Sequence, residues 1–353
     1  MLGGGVYVTQ NKVLPGSYIN FVNTSTTNAV LGNRGVVAIA LPLGFKAGEV
    51  IELTREDFQN DANEHIGKMA TDNEVIMLRE IFLHSNTVYV YDLGSGEVTL
   101  TAEDALRALE SYEFNVVCAY TNEADEIKTY VDKVIEWRDE LGKKCQVVVY
   151  NDVAGTKHEG VINVVSTIET DGTDVNGHAL VAWVAGAEAG CAVNKSCTNM
   201  LYDGEYTIVV DKTQDQLEDC LANGQVVFHR VYGDVRLLED INTLTENEFT
   251  DVKGEDFRYN QTIRVIDQIA NDISKLFNTR YVGKIANNAA GRTSLWGDIV
   301  AHHRELETIE AIEKFDASLL TVEQGATKKS IVINDVITVN NSMAQLYMTV
   351  VVQ

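Results

Sequence analysis

The fold of this chain is decided by four short apolar runs: TVYVYD at residues 87–92, FNVVCAY at 114–120, QVVVYN at 146–151 and GVINVVS at 160–166. Each run has the length and composition of a β-strand. Amphipathic segments lie between the first three: residues 101–110 begin at a capping threonine, and residues 123–141 end at Gly142, where glycine favours a helix C-cap. This alternation predicts a parallel or mixed sheet flanked by helices.

The alternation of strands and helices continues to residue 234, and the sequence pattern differs before and after this alternating region. The next predicted elements are a helix at 179–190, a strand in EYTIVVD at 205–211, a helix at 214–222 and a strand in QVVFHRVYG at 225–233. Upstream, residues 35–53 predict two strands, followed by a helix capped by Thr54 and Asp57. Downstream, apolar spacing predicts amphipathic helices at 259–279 and 293–315, before β-rich closing residues.

Length and charge narrow the class of protein. The 353 residues exceed the roughly 250–300 at which one hydrophobic core stops growing, so at least two packed bodies are expected. The chain has 52 acidic and 28 basic side chains, a formal net charge of -24, which makes nucleic acid and anionic lipid poor partners. No apolar run approaches the roughly 20 residues of a membrane span. The N-terminal residues lack the pattern of a secretion signal, which predicts a cytoplasmic protein.

The sequence predicts no catalytic, cofactor-binding or metal-binding residues. Gly94-Ser95-Gly96 lacks both the third glycine of a dinucleotide loop and the Lys-Ser/Thr pair of a phosphate loop. DGTDVNG at 171–177 is a plain loop without a full set of calcium ligands. His302 and His303 point about 100° apart on a helix, so they do not form a bidentate metal site, and one is expected to be buried and the other exposed. No G-x-S-x-G elbow is present.

The cysteines are expected to be free, mostly buried packing residues. There are five, an odd count in a chain without a secretion signal: Cys118, Cys145, Cys191, Cys197 and Cys220. The spacing of Cys191 and Cys197 is wider than that of a zinc knuckle, so no metal is expected there.

Five further stretches carry a resemblance to one protein family. They are LPGSYINF at 14–21, HALVAWVAGAEAGCAVNKSCTN at 178–199, LEDINTLT at 238–245, NQTIRVIDQIANDISKLFNTRYVGKIANNAAGR at 260–292 and MAQLYMTVVV at 343–352. In order and spacing they resemble the contractile phage tail-sheath family, in particular the PBSX-like type of Gram-positive phages and of R-type, diffocin-like bacteriocins. Residues 95–230 are less diagnostic, because folds of that kind host many enzymes.

The resemblance implies a structural subunit and not an enzyme. Such a subunit forms stacked hexameric rings, or a six-start helix, around an inner tail tube, and contracts to drive the tube through a target envelope. Its implied partners are copies of itself, the tube protein, and baseplate and terminator proteins. It would assemble in the bacterial cytoplasm and leave in a phage tail or a headless bacteriocin; the sequence does not say which. An α/β enzyme, such as a hydrolase with its site in residues 95–230, stays open as the alternative.

The predicted fold class is α/β and α+β, in several domains. The motifs that resemble the family lie towards the two ends of the chain, which predicts a composite body with an α/β insertion. The predicted divisions are an N-terminal arm at 1–20, a β-rich domain at 21–92 that packs with the C-terminal body, an inserted α/β domain at 93–234, a C-terminal α+β domain at 235–342 and a C-terminal strand arm at 343–353.

Two sets of residues are predicted to make contacts between proteins. The terminal arms are expected to add strands to neighbouring subunits, because an apolar run with no hairpin partner needs a sheet edge. The arm residues are Val6, Tyr7, Val8, Leu346, Tyr347, Met348, Val350 and Val352. The alternative is that both termini fold back into their own sheet. A basic cluster is predicted to face an acidic tube surface: Arg292, His302, His303 and Arg304.

Overall fold

The computed structural model describes residues 31–96, 100–170 and 174–352. Its strands are β1 (Val36–Leu41), β2 (Val50–Thr54), β3 (Thr87–Asp92), β4 (Val116–Cys118), β5 (Gln146–Tyr150), β6 (Val161–Val164), β7 (Ile168–Thr170), β8 (Asp174–Asn176), β9 (Gln225–Val226), β10 (Phe228–Val231), β11 (Asp234–Leu237), β12 (Thr321–Gln324) and β13 (Ile331–Asn334). Its helices are α1 (Arg55–Ile66), α2 (Asn73–Phe82), α3 (Ala102–Leu109), α4 (Ala124–Asp139), α5 (Leu180–Gly190), α6 (Gln214–Ala222), α7 (Asn260–Leu276) and α8 (Ala289–Thr308).

A seven-stranded sheet forms the centre of the molecule, in the order β2-β3-β1-β4-β5-β6-β9. Within it β2 is the antiparallel edge strand, and the other neighbouring strands pair in parallel. In β1 the residues Val37 and Ile39 point to one face, while Ala38 and Ala40 point to the other, and all four are buried. Burial on both faces is what a mostly parallel sheet requires, and it explains why these strands are continuous apolar runs.

Helices cover both faces of this sheet. Helices α2 and α5 pack on one face, and α3 and α4 pack on the other, so each face has its own apolar core. Helix α3 begins at Thr101, whose side chain accepts the backbone N–H of Asp104, while the Asp104 carboxylate accepts the N–H of Thr101. This capping box satisfies two backbone donors at the helix start.

Helix α5 is buried nearly all round, which two glycines make possible. A Cβ atom at Gly186 would lie 2.5 Å from the carbonyl oxygen of Ile81, and one at Gly190 would lie 2.0 Å from that of His84. Both oxygens belong to the end of α2 or the residues just after it. The glycines therefore let the backbones of α2 and α5 approach more closely than any other residue would allow.

A second body follows β11 and contains α7, α8 and the β12–β13 hairpin. Its apolar core joins Val265 of α7 to Leu295, Ile299 and Leu306 of α8, with Phe315 beyond that helix. The hairpin is a two-stranded sheet of its own. The mixed α/β fold class predicted from the sequence is confirmed, as are the helices predicted at 101–110, 123–141 and 179–190.

Two local predictions are wrong. The strand predicted at 205–211 is absent; this segment makes an isolated bridge between Ile208 and Ile168, because its partner β7 is only three residues long. The segment predicted as a plain loop at 171–177 contains β8, which pairs with β7. Of that segment, residues 171–173 lie outside the described part of the chain.

The predicted domain boundary between residues 92 and 93 is also wrong. Strand β1 pairs with β3 on one side and with β4 on the other, so residues 36–92 and 116–164 share one sheet. The physical reason is that β1 completes the hydrogen bonding of both neighbours, which a separate domain would leave unpaired. Residues 21–92 were expected to form one body with the C-terminal region. Residues 36–92 instead belong to the α/β sheet. The remaining divisions stay predictions.

Candidate assembly surfaces

A buried cluster of charges joins helix α7 to helix α5 and to the segment after β11. Arg264 Nη2 lies 2.6 Å from Glu188 Oε2 and 3.3 Å from Asp240 Oδ2, and all three side chains are buried. Asp240 also accepts the backbone N–H of Cys197 at 2.9 Å. This cluster ties the second body to the α/β sheet through groups that water does not reach.

The pKa values of the two carboxylates of this cluster are shifted in opposite directions. Burial raises the pKa of Glu188 well above its ordinary value, and the nearby Asp240 charge raises it further. Burial opposes ionisation of Asp240, but the charge of Arg264 and the hydrogen bonds to the carboxylate together outweigh burial, and the pKa of Asp240 is lowered. A proton therefore binds more tightly to Glu188 than to Asp240, and a hydrogen bond joins the two side chains.

A second buried ion pair lies one turn further along α7. Arg138 of α4 reaches both carboxylate oxygens of Asp267, at 2.6 and 2.9 Å. Burial lowers the pKa of Arg138, but the charge of Asp267 and the hydrogen bond to it together outweigh burial, and the net pKa is raised. Because removal of one partner from a buried pair is strongly destabilising, these two joints fix α7 against both α4 and α5.

The described residues contain two clusters with metal-ligand chemistry, and a cationic side chain enters each. In Glu188, Cys197 and Asp240 the donor atoms lie within 4.8 Å of one another, and Arg264 is already paired with the two carboxylates. In Asp139, His158 and Glu159 the Lys253 ammonium lies 2.7 Å from Glu159. In each cluster the protein's own cation supplies positive charge that a metal would otherwise bring.

The predicted basic cluster does not form one exposed patch. His302 and His303 are both buried, at 1% and 0% exposure, so the prediction that they face a tube is wrong, and so is the prediction that one of them is exposed. Their Nε2 atoms lie 3.0 Å from Asp272 and 2.6 Å from Asp335. Carboxylates on both neighbouring elements draw the two rings inward, which helix geometry alone does not reveal.

The two arginines of that cluster point to different surroundings. Arg292 donates to the side-chain oxygen of Asn287 at 3.0 Å and is half-buried. Arg304 pairs with Glu307 on its own helix and lies over the ring of Phe315. Arg292 stays a candidate for a contact with another protein, because it lies beside an exposed loop.

That loop and the neighbouring hairpin form an apolar and basic surface. Residues 282–286 are exposed, including Val282 and Ile285, and they border a cavity of about 420 Å³. Lys328 and Lys329 line the same cavity. The sequence carries a signal for this surface that the basic-cluster prediction missed: residues 273–297 contain four Lys or Arg and no Asp or Glu, in a chain of net charge -24.

The C-terminal segment is the most exposed apolar part of the described chain. The side chains of residues 343–352 include apolar groups exposed from 69% at Val350 to 103% at Met343. The predicted arm residues Leu346, Tyr347 and Met348 are among them, and residues 343–352 have no strand pairing. An exposed apolar stretch of this length is typical of an interaction site. The predicted N-terminal arm residues Val6, Tyr7 and Val8 lie outside the described residues.

These features are typical of a structural protein and not of an enzyme active site. Its charge clusters join helices, and its apolar surface is concentrated in a terminal segment and in the loop at 282–286. None of the helices in residues 31–96, 100–170 and 174–352 combines the length and apolar character of a membrane span. Two family models match the chain: the phage tail sheath protein central domain at residues 96–243 and the phage tail sheath C-terminal domain at residues 252–353. The chain belongs to the phage tail sheath family.

Curated relatives agree with this assignment. The tail sheath protein of Clostridium phage phiCD119 is 27% identical over 307 residues, which cover 84% of this chain and 81% of that protein. The phage-like element PBSX protein XkdK of Bacillus subtilis is 35% identical over 176 residues, which cover 49% of this chain and 37% of that protein. The predicted family is confirmed: the chain is a structural subunit of a tail sheath, a component of a virion or phage-like particle.

Solved structures share the fold over nearly the whole chain. The sheath tail protein of Desulfitobacterium hafniense has a TM-score of 0.78 and 25% identity, covering 94% of this chain and 99% of that one. The PVC sheath complex of an extracellular contractile injection system, in its contracted state, has a TM-score of 0.70 and 14% identity, covering 97% and 98%. The enzyme alternative gains no support, because these relatives are sheath proteins.

Proposed function

We propose that this chain polymerises with copies of itself into hexameric rings, or a six-start helix, around an inner tail tube, and that the polymer contracts to drive the tube through a target cell envelope. The observation that carries the proposal is the exposed apolar segment at residues 343–352. It is strand-forming in composition, yet it has no partner strand among the described residues. A second copy of the chain can supply that partner.

The β12–β13 hairpin is a suitable acceptor for such a strand. It has only two strands, and Val332 and Ile333 of β13 are exposed. A two-stranded sheet is marginally stable in water, and added strands bring main-chain hydrogen bonds and burial. We assign the same role of strand donor to Val6, Tyr7 and Val8 at the other end of the chain. A head-to-tail contact of this kind that does not close on itself builds a helical polymer.

Strand donation is tested by removing the proposed strand or by interrupting its backbone hydrogen bonds. Leu346, Met348 and Val350 would share one face of the strand, and Tyr347 and Thr349 the other. Deletion of residues 343–353 should abolish sheaths in electron micrographs while the α/β sheet stays folded by circular dichroism. Met348→Pro should have the same effect, because proline removes a ladder donor. Thr349→Ser is the matched control and should assemble normally. Normal sheaths from the deletion would rule out this proposal.

We assign the tube contact to the apolar and basic surface around residues 282–286. It combines exposed apolar side chains with Lys284, Lys328 and Lys329, and Arg292 lies beside it. The nearest acidic residues in sequence, Asp272 and Asp298, are engaged with His302 and with Arg280. A positive patch on so acidic a chain suits an acidic partner surface, because opposite potentials steer association.

Charge reversal distinguishes an effect of this surface on tube binding from an effect of the overall charge of the protein. The double variant Lys284→Glu and Lys328→Glu should lose co-sedimentation with the tube protein of the same particle. Lys128→Glu, on the exposed face of α4, changes charge elsewhere and should retain it. Equal binding by the reversed and control variants would remove the assignment.

We also infer the setting in which the subunit works. The polymer would assemble in the bacterial cytoplasm, end at baseplate and terminator proteins, and be released in a phage tail or an R-type bacteriocin. The membership of the tail sheath family supports this setting. The genes that flank the coding sequence distinguish the two particles, since a phage also needs capsid and DNA-packaging genes.

A further inference from the structure

Two adjacent histidines on α8 hold the chain segments that lead to the two termini. His302 Nε2 lies 3.0 Å from Asp272 Oδ2, and Asp272 accepts the backbone N–H of Gly32, where the N-terminal segment meets α7. His303 Nε2 lies 2.6 Å from Asp335, which follows β13 and precedes the C-terminal segment. Both ends of the described chain are thus joined to one turn of α8.

The remaining nitrogens of the two rings face each other. His302 Nδ1 and His303 Nδ1 are 3.3 Å apart in a buried site. Each Nε2 faces a carboxylate oxygen, which accepts and does not donate, so each Nε2 carries a hydrogen. Asp272 is fixed as an acceptor because it also receives N–H groups from Gly32 and Gln268. The two Nδ1 atoms therefore decide the protonation state of the pair.

One protonation state satisfies this geometry and two do not. If neither Nδ1 is protonated, two bare nitrogens face each other. If both are protonated, two N–H groups face each other. In both states a buried polar group lacks a hydrogen-bond partner. With one further proton, the protonated Nδ1 donates to the bare one. We propose that His302 and His303 bind a single shared proton between their Nδ1 atoms, and that this proton holds both terminal segments against α8.

The charged groups around the pair favour a proton over a metal ion. Asp272 faces the pair from α7, and Asp335 faces it from the segment after β13. On α8, Glu305 accepts the backbone N–H of Leu31, and the neighbouring arginine pairs with Glu307. Negative charge in contact with the rings stabilises one positive charge on them. Neither of the three-ligand clusters in the described residues includes these histidines, whereas a protein-bound zinc ion needs about three or four ligands.

The direct test is the ¹⁵N spectrum of the full chain labelled at histidine, recorded from about pH 5 to about pH 9, where histidines exchange protons. The ring ¹⁵N shifts distinguish a protonated nitrogen from a bare one. We expect, at neutral pH, two protonated Nε2 atoms and one proton in total over the two Nδ1 atoms. Two bare or two protonated Nδ1 atoms would overturn the proposal, and so would a spectrum that changes after dialysis against EDTA.

A variant shows whether the proton is shared. His303→Gln keeps an amide N–H that can reach Asp335 but lacks the second ring nitrogen, so His302 Nδ1 should be bare at neutral pH. His65→Gln, on α1, is the matched control and should leave the pair unchanged. A protonated His302 Nδ1 in the His303→Gln variant would contradict sharing. If that variant does not fold, the wild-type spectrum still decides.

Hydrogen exchange measures the attachment of the chain ends. The His303→Gln variant has no second ring nitrogen to share the proton, so the amides of Gly32 and Asn340 should exchange about tenfold faster in it than in the wild type at the same pH. The amide of Val117 in the central sheet is the internal control. Unchanged protection at Gly32 and Asn340 would show that the proton does not hold the segments. These tests use the unassembled chain and do not depend on the proposed polymer.

Discussion

Arg264 is the residue on which the joint between α5 and α7 depends. Its guanidinium contacts Glu188 and Asp240 and also donates to the backbone oxygen of Lys195 at 2.6 Å. The guanidinium fork can satisfy several acceptors at once, which a lysine cannot do in the same geometry. The cluster therefore behaves as one unit, and removal of the arginine leaves an uncompensated buried carboxylate.

We predict that Arg264→Met destabilises the chain by about 3–5 kcal/mol, the usual consequence of removing one partner from a buried ion pair. Arg107→Met is the control, because Arg107 is exposed and an exposed ion pair such as that with Asp104 contributes little to stability. The free energy of unfolding of the unassembled chain in denaturant measures both. A loss of less than about 1 kcal/mol for Arg264→Met would contradict the role given to this cluster.

The raised pKa of Glu188 predicts a pH dependence of defined sign. Between the ordinary glutamate pKa of 4.5 and the raised pKa, folded Glu188 keeps its proton and the unfolded chain has lost it. Stability from this group is therefore complete at low pH and falls as pH rises, by about 1.4 kcal/mol for each pH unit within that window. Glu188→Gln should remove this loss, and the exposed Glu103→Gln should not. Parallel pH profiles for the wild type and Glu188→Gln would be the contrary result.

The chemistry of these residues could not be predicted from the sequence. Apolar spacing correctly predicts a helix over α7, with Ile263 and Ile266 on its apolar face. Arg264 and Asp267, each of which directly follows one of these isoleucines, look like solvent-facing charges. They are buried because α7 lies between two bodies and not on the surface of one. Charges become buried only when distant segments supply partners, and a pattern along one helix does not contain that information.

At the scale of elements, α2 and α5 pack with their backbones in close approach. Gly186 lies so near the backbone of Ile81 that a side chain there has no room. One of the glycines in α8, Gly297, has nothing within 4 Å of an added Cβ. Gly186 and Gly297 therefore differ, because only Gly186 is required by the packing of the fold.

We predict opposite effects of alanine at these two glycines. Gly186→Ala should destabilise the chain by about 1–3 kcal/mol, because the methyl group overpacks the contact with α2. Gly297→Ala should stabilise it by up to about 1 kcal/mol, because alanine has the higher helix propensity. Thermal or denaturant unfolding of the two variants side by side measures the difference. A destabilisation of equal size in both would mean that the close approach of α2 and α5 has no special role.

Strand order shows where sequence-based prediction of elements stops. The strands of the alternating region, β3 to β6, are predicted within a few residues, because each is a contiguous apolar run. The position of β1 between β3 and β4 is not predicted, because its pairing partners are distant in sequence. Val36 pairs with Thr87, 51 residues away, and Val37 pairs with Val116, 79 residues away. The error at residue 92 has this origin: local composition changes there, although the sheet does not.

At the scale of the whole molecule, a centre joined by buried ion pairs carries an exposed end. The ion pairs link the α/β sheet to the second body, while residues 343–352 have no strand partner among the described residues. We propose that a subunit built in this way moves as one body while residues 343–352 stay paired with a neighbouring subunit. We expect contraction of the polymer to change the contacts between bodies and to preserve the strand contacts.

The central claim is that this chain builds a sheath around a tube. The most direct measurement is cryo-electron microscopy of the full chain co-expressed with the tube protein of the same particle. The account predicts long tubular particles with helical order, an inner tube, and density for residues 343–352 continuing a sheet of the adjacent subunit. Compact single particles under the same conditions, or helical particles in which residues 343–352 pack on their own subunit, would contradict it.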